Sequence, residues 1–431
     1  MVSGGIKGKK LLLLGGLNTT ADMICLAHRN GVRVGVADYN KGTFVKSLAD
    51  YVHDVSIMDE AVVIELYKRD KYDGIITAFN ERLGPIASAI AEKLGCPFPF
   101  TVEQLRMSTD KQYFKDTCIR YGVPVPTEYL VTSIEQIYET EIKYPVIVKP
   151  VDSSSSIGVT PCFSSVELAK GFIKAKNASR SKRVIVEEYL PYDEINMTYI
   201  AQGGDIQLAA VHDRYFNSDQ VSATKAPDLY IYPSRYTDLI LEKYNATIIN
   251  MLKSIGIKNG SLFIQAIVHE GQLYCYEAGI RLNGCKTYQI LEYENDFNTM
   301  ERLIEFALTG SMGEYVKFNP KMKRWYATIN VLGEPGATIN RYEGIDALQT
   351  YPWLIHIARR NRPGDVIPPD SAGTLVQDTT RIHLCAETKE ELIARIDKVN
   401  ELYQILDPSG RNIILKPHDT QEVLNCLDYE L

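Results

Sequence analysis

The chain has 431 residues, too many for one compact core, with 45% hydrophobic and 23% charged residues. Its net charge of -7 and pI of about 5.7 exclude a broad basic surface for nucleic acid or anionic lipid, while leaving room for a local phosphate pocket. Eight scattered cysteines form no Cys-x-x-Cys pair and no zinc-finger spacing, which fits reduced thiols in a cytoplasmic protein.

Residues 9–14 (KKLLLL) read as a buried strand. The apolar run is too short for a signal-peptide core, and no segment approaches the ~20 apolar residues of a membrane span. GGLNTT follows as a loop, then a helix ADMICLAHRNG and a strand VRVGVADYN. A helix over 60–69, a strand over 73–78 and a helix over 84–94 continue the alternation, which predicts a parallel sheet with crossover helices. Gly15 and Gly16 are adjacent with no third glycine in place. They read as a strand-to-helix turn and not as a G-x-G-x-x-G dinucleotide site, which argues against a dinucleotide oxidoreductase.

Near Ser108 the pattern changes to a capped helix, DKQYFKDTCIRYG, and Pro124 and Pro126 then break the chain. YPVIVKPVDSSSSIGVTPC reads as strand, Ser/Gly loop, strand. SVELAKGFIKAKNAS is helical and RVIVEEYL is a strand. INMTYIAQGGDIQLAAVHDRY reads as an antiparallel hairpin turning at Gly203-Gly204. A helix over 235–254 leads to the strand pair SLFIQAIV and QLYCYEAGI. Beyond about 315, the strands YATINVL and TRIHLCA and the helix KEELIARIDKVNELYQIL predict a third, smaller unit.

Four features carry chemistry. Lys149-Pro150 ends an apolar strand, and Asp152, Ser153 to Ser156 and Gly158 follow. Small residues let backbone N–H groups approach phosphate oxygens, and Lys149 adds a point charge; a plain surface loop is the competing reading. Glu187-Glu188-Tyr189-Leu190, with Glu194 beyond, places free backbone groups and carboxylates where an adenine edge and ribose hydroxyls would lie, although acidic strand ends are mostly solvated. Gln265 and Glu277 sit on neighbouring apolar strands with Arg281 beyond. This suits Mg²⁺ beside a transferring phosphoryl group, against the alternative of a satisfied core glutamine. If both ligands share one ion, a two-residue Glu270-Gly271 turn puts Glu277 on the wrong face. A β-bulge or odd-length loop is therefore predicted between 265 and 277. Lys111 opens the helix after the first unit.

Together, Asp110-Lys111, Lys149-Pro150 with SSSSIGV, EEYLPYDE and Gln265…Glu277…Arg281 resemble the ATP-grasp superfamily, in particular enzymes like the carbamoyl phosphate synthase large chain. The resemblance implies an α/β pre-ATP-grasp domain (1–107), an α+β ATP-grasp domain with antiparallel sheets (108–312) and a small α+β C-terminal domain (313–431). It implies ATP and Mg²⁺, with Mn²⁺ as an alternative, and Gln265 and Glu277 as the metal ligands. Lys111 and Lys149 resemble the phosphate-holding lysines, and Ser153, Ser154, Ser156 and Gly158 belong to the lid segment. Glu187, Tyr189 and Leu190 resemble the adenine hinge and Glu194 the ribose contact. Arg281, Lys149 and Ser155 make the implied catalytic set.

The implied activity is an ADP-forming ligase that joins a small-molecule carboxylate to an amine or similar nucleophile, with no nucleic-acid or membrane partner; a homodimer is compatible with it. A nucleotide-binding protein of this fold without ligase activity is the alternative. The family usually carries Glu-x-Asn-x-Arg, whereas this chain reads Glu277-Ala278-Gly279-Ile280-Arg281, which leaves the number of metal ions open. Asn283 shares the strand face by alternation, but up to ~20 Å from Glu277 if extended. For the substrate, Arg214 is a candidate partner of a carboxylate and Asp213 of an ammonium, both in a His212-Asp213-Arg214 segment following a strand, with a polar turn as the competing reading; Asn283 is a further substrate candidate.

Overall fold

The computed structural model describes residues 5–153, 156–191, 193–216, 225–427, 429 and 431. The first sheet holds β1 (Lys10–Leu14), β2 (Arg33–Ala37), β3 (Tyr51–His53) and β4 (Gly74–Ile76), all parallel, in the order β3-β2-β1-β4. Leu11 and Leu13 enter one apolar core and Leu12 and Leu14 the other. A run of four leucines is thus what a strand covered on both faces requires. Gly15 turns the chain at φ +94°, where a Cβ would lie 2.5 Å from Leu83 Cδ1.

β5 (Glu128–Tyr129), β6 (Val146–Pro150), β7 (Thr160–Cys162) and β8 (Val184–Glu188) form a small antiparallel sheet in the order β5-β8-β6-β7. The helix Ser165–Ala178 covers it through Leu168, Phe172 and Ala175. The helix that follows the first unit is capped by Asp110, the first residue of the run read as helical. Asp110 accepts from Gln112 N and Tyr113 N, while Ser108 lies inside the preceding helix Val102–Thr109.

The remaining strands are β9 (Asp193–Gln202), β10 (Asp205–Tyr215), β11 (Leu229–Tyr232), β12 (Gly260–His269), β13 (Gln272–Gly279), β14 (Trp325–Leu332), β15 (Arg341–Glu343), β16 (Leu354–Arg359), β17 (Asp378–Ala386) and β18 (Gln404–Leu406). Eight of them make one antiparallel sheet, β13-β12-β9-β10-β11-β14-β17-β16, and β15 pairs with β18. Gly203-Gly204 turns the β9–β10 hairpin as its sequence indicates. β10, however, runs on through His212, Asp213 and Arg214, so these residues belong to a strand and not to a polar turn. The sheet also continues past residue 313, since β14 pairs with both β11 and β17. The last predicted helix stops at Leu402, and Gln404–Leu406 is extended.

Candidate functional site

A cavity of about 440 Å³ opens between the small sheet and the β13–β12–β9–β10 end of the large one. Ile147, Val159 and Pro161 line it from the small sheet and Ile267 from the large one. These flat apolar walls suit a planar ring, and Glu187 to Pro191 line the same cavity.

Lysines and carboxylates are paired within it. Lys149, at the end of β6, contacts Glu187 Oε1 on β8. Lys115, one turn after Lys111 on the helix Lys111–Tyr121, lies 3.0 Å from Glu187 Oε2 and 3.3 Å from Glu128 Oε2. Lys115, Lys149 and Glu187 are buried. Burial pushes the Glu187 carboxyl up, but the charges of Lys149 and Lys115 more than reverse this and hold it below the usual carboxylate range. Glu187 therefore fixes the position of Lys149.

Lys111 Nζ donates to Ser153 O at 2.5 Å and lies 3.1 Å from Glu277 Oε1. Burial pushes Glu277 up, and Lys111, followed by Lys149 and Arg281, brings it below the usual range. Gln265 stands directly opposite Glu277. The register slips between Gln265 and Ala266, whose partners are Glu277 and Cys275, so Tyr276 is the extra residue of a β-bulge. The Glu270-Gly271 turn has two residues, both with positive φ, and the bulge restores the common face that such a turn alone would deny.

Ser153 and Ser156 line the cavity; Ser154 and Ser155 lie outside the described residues. Gly158 does not line it. Its φ is +80°, and a Cβ there would meet Ala178 Cβ at 2.7 Å and Pro150 Cγ at 2.8 Å, so its part is to seat the loop. Asp152 anchors the base of the same loop, accepting from Ser179 Oγ and Ser181 N, both at 2.8 Å.

Four sequence candidates occupy places other than those expected. Arg214 lines the cavity, but its Nη1 donates to Glu194 Oε2 at 2.5 Å and to Tyr276 OH at 2.7 Å, so it is held by a carboxylate of the chain itself. Asp213, its neighbour on the strand, is buried outside the cavity. It accepts from Ser234 Oγ and Arg235 N, because alternation turns it to the other face of β10. Asn283 lies beyond the end of β13 and not on its face. Its Nδ2 donates to Thr198 Oγ1 and Thr287 Oγ1, and its Oδ1 accepts from Thr287 N, which uses up its hydrogen-bonding groups away from the cavity. Arg281 is also outside the cavity lining: Nε and Nη2 donate to Glu81 Oε1 at 3.2 and 2.6 Å, Nη1 donates to Leu282 O, and the guanidinium lies 5.0 Å from the Phe263 ring centroid. It is near enough to lower the Glu277 carboxyl.

The Phe263 ring also accounts for Gly279. A Cβ at 279 would lie 2.1 Å from Phe263 Cζ, so the side chain that Glu-x-Asn-x-Arg would place here has no room. Sequence reasoning missed Lys115, Glu128, Glu81 and Tyr276. Lys115 had a signal in its i+4 spacing from Lys111 on one helix face; Glu81 had none, since its partner is 200 positions away.

The family model "D-ala D-ala ligase C-terminus" matches residues 127–255. The chain is 27% identical over 288 residues to D-alanine--D-alanine ligase of Fervidobacterium nodosum, covering 62% of this chain and 86% of that protein. It is 24% identical over 238 residues to the carbamoyl phosphate synthase large chain of Clostridium beijerinckii, covering 54% of this chain but 22% of that one. Among solved structures, L-amino acid ligase from Bacillus licheniformis matches with a TM-score of 0.75 at 15% identity, over 93% of this chain and 99% of that one. The biotin carboxylase domain of Hydrogenobacter thermophilus 2-oxoglutarate carboxylase, in complex with MgADP and bicarbonate, matches with a TM-score of 0.73 at 17% identity, over 93% and 91%. The fold, the lysine-lined cavity between two sheets and these likenesses together support an ATP-grasp ligase.

Proposed function

We propose that the protein activates a small-molecule carboxylate with ATP, as an acyl phosphate, for attack by an amine or similar nucleophile, releasing ADP and phosphate. The observation that carries this is the convergence of Lys111, Lys149, Gln265 and Glu277 on one cavity whose other end has apolar walls and a hinge strand. The adenine ring lies between Ile147 and Ile267, against Glu187 to Leu190. Glu194, held by Arg214 and Tyr276, meets the ribose.

A carboxylate is a poor electrophile, because hydroxide leaves badly at neutral pH. Moving the γ-phosphoryl group onto its oxygen gives a leaving group, and that transfer needs charge neutralised on the phosphoryl oxygens more than covalent help. Lys149 is held in place by Glu187. Lys111, which now faces Glu277, turns to the phosphates when they arrive. Gln265 and Glu277 have the oxygen donors Mg²⁺ prefers, and would hold it; the bound ion supplies further charge on the phosphate oxygens, and Mn²⁺ suits the same donors. Arg281, fixed by Glu81 from the loop after β4, stands outside the lining on the Glu277 side, and the carboxylate is received there. The amine then displaces phosphate from the acyl carbon.

The test is a screen of amino acids and small carboxylates, each with amine partners, read out as ADP formation. A substrate-dependent burst of ADP supports the proposal. Tight nucleotide binding with no ADP across the panel favours a nucleotide-binding protein of the same fold.

A further inference from the structure

A second cavity, of about 400 Å³, lies between the β11–β14 part of the large sheet and the helix Lys389–Leu402. It shares no lining residue with the nucleotide cavity. Its volume falls in the range that holds small organic ligands. Ile329 and Val331 from β14 and Ile396 and Val399 from the helix make its walls apolar.

Polar groups, among them Asn330, Gln377, Asn412, Lys416 and His418, share the lining, and one carboxylate stands with them. Asp228 is only 6% exposed, and neither of its carboxylate oxygens accepts a hydrogen bond. His418 Nδ1 stands 3.4 Å from Oδ1, and it too makes no hydrogen bond. Buried carboxylates are normally met by donors, and a hydrogen-bond donor entering from the cavity would complete this one.

We infer that this cavity is a second binding site, for a small organic ammonium with an apolar body. The ammonium lies on Asp228, and the hydrocarbon packs against Ile329, Val331, Ile396 and Val399. A neutral donor meets the carboxylate with a hydrogen bond but leaves its charge uncompensated, an anion meets it with like charge, and a bare metal ion leaves the apolar walls unfilled. The inference does not rest on the proposed ligase reaction, since the two cavities are separate.

Calorimetric titration of the full chain, with Mg-ADP present to fill the first cavity, tests it. The probes are 2-phenylethylamine and its neutral counterpart 2-phenylethanol. One amine should bind per chain, with the alcohol about tenfold weaker or more. Asp228→Asn should weaken the amine by about tenfold and leave the alcohol unchanged. Val399→Trp should abolish binding by filling the cavity, and Ile396→Phe serves the same end should the tryptophan variant fail to fold. Absence of amine binding at millimolar concentration overturns the inference. So does equal binding of amine and alcohol, or amine binding indifferent to Asp228→Asn and to the filling variants.

Discussion

Gln265 and Glu277 stand directly opposite each other on β12 and β13 because Tyr276 is an extra residue in the second strand. The bulge turns both Tyr276 and Glu277 toward the nucleotide cavity, so one strand supplies a metal-suited carboxylate and a hydroxyl side by side.

Separate effects are expected from the two residues. Glu277→Ala should weaken Mg-nucleotide binding by about tenfold or more and abolish turnover, since it removes the carboxylate from the phosphate end. Tyr276→Phe keeps the bulge but loses the hydroxyl that joins Arg214 to Glu194. Loss of such a bond, worth about 1 kcal/mol, should raise KM for ATP about fivefold with kcat changed little. Steady-state kinetics with ATP varied, together with nucleotide titrations, separate the two. Identical behaviour of both variants would contradict the assignment.

Arg281 is expected to act on charge that develops during transfer. Arg281→Ala should lower kcat by ~10²-fold or more while ATP affinity stays within about twofold. Glu81→Gln leaves the guanidinium in place but loosens its hold, so a smaller fall in kcat is expected, again without change in ATP affinity. A fully active Arg281→Ala enzyme would rule out this role.

The Glu187 carboxylate is a matter of stability as well as function. Removing it leaves Lys149 without that carboxylate and Lys115 with Glu128 alone, in a buried space where breaking an ion pair costs about 3–5 kcal/mol. Glu187→Ala should lose stability on that scale in urea unfolding. Loss of less than about 1 kcal/mol would show that the two lysines reach water when the carboxylate is gone.

Asp213 gives a pH signature away from the nucleotide cavity. Its burial pushes the carboxyl from 3.8 up to about 6, against the opposing pull of Ser234 and Arg235. A raised folded value means that the folded chain binds this proton more tightly than the unfolded one. The contribution is present below about pH 4 and is lost as pH rises through about 6, with an upper bound of about 3 kcal/mol. Urea unfolding of wild type and Asp213→Asn at pH 4 to 7 is the check. The stability of wild type relative to the variant should fall as pH rises across that window, and a rise would contradict the assigned direction.

The sequence carried the local features well. The leucine run of β1, the Gly203-Gly204 hairpin and the demand for a bulge between 265 and 277 all follow from side-chain alternation, and the structure shows each. Pairings between distant segments were not legible. Nothing near Arg281 points to Glu81, and nothing near 325–386 shows that β14, β17 and β16 extend the sheet that β9 to β13 begin. Asp213 and Arg214 both read as substrate candidates because their segment follows a strand that should border the site. In a strand, adjacency sends them to opposite faces, one to a buried hydrogen-bond pair and the other to the nucleotide cavity.

The most direct test of carboxylate activation follows the oxygen. With a turning-over carboxylate labelled with ¹⁸O in both oxygens, ³¹P NMR of the products should show inorganic phosphate carrying one ¹⁸O atom and ADP as the nucleotide, because the carboxylate oxygen leaves with the transferred phosphoryl group. Unlabelled phosphate, or AMP with pyrophosphate, would contradict activation through an acyl phosphate.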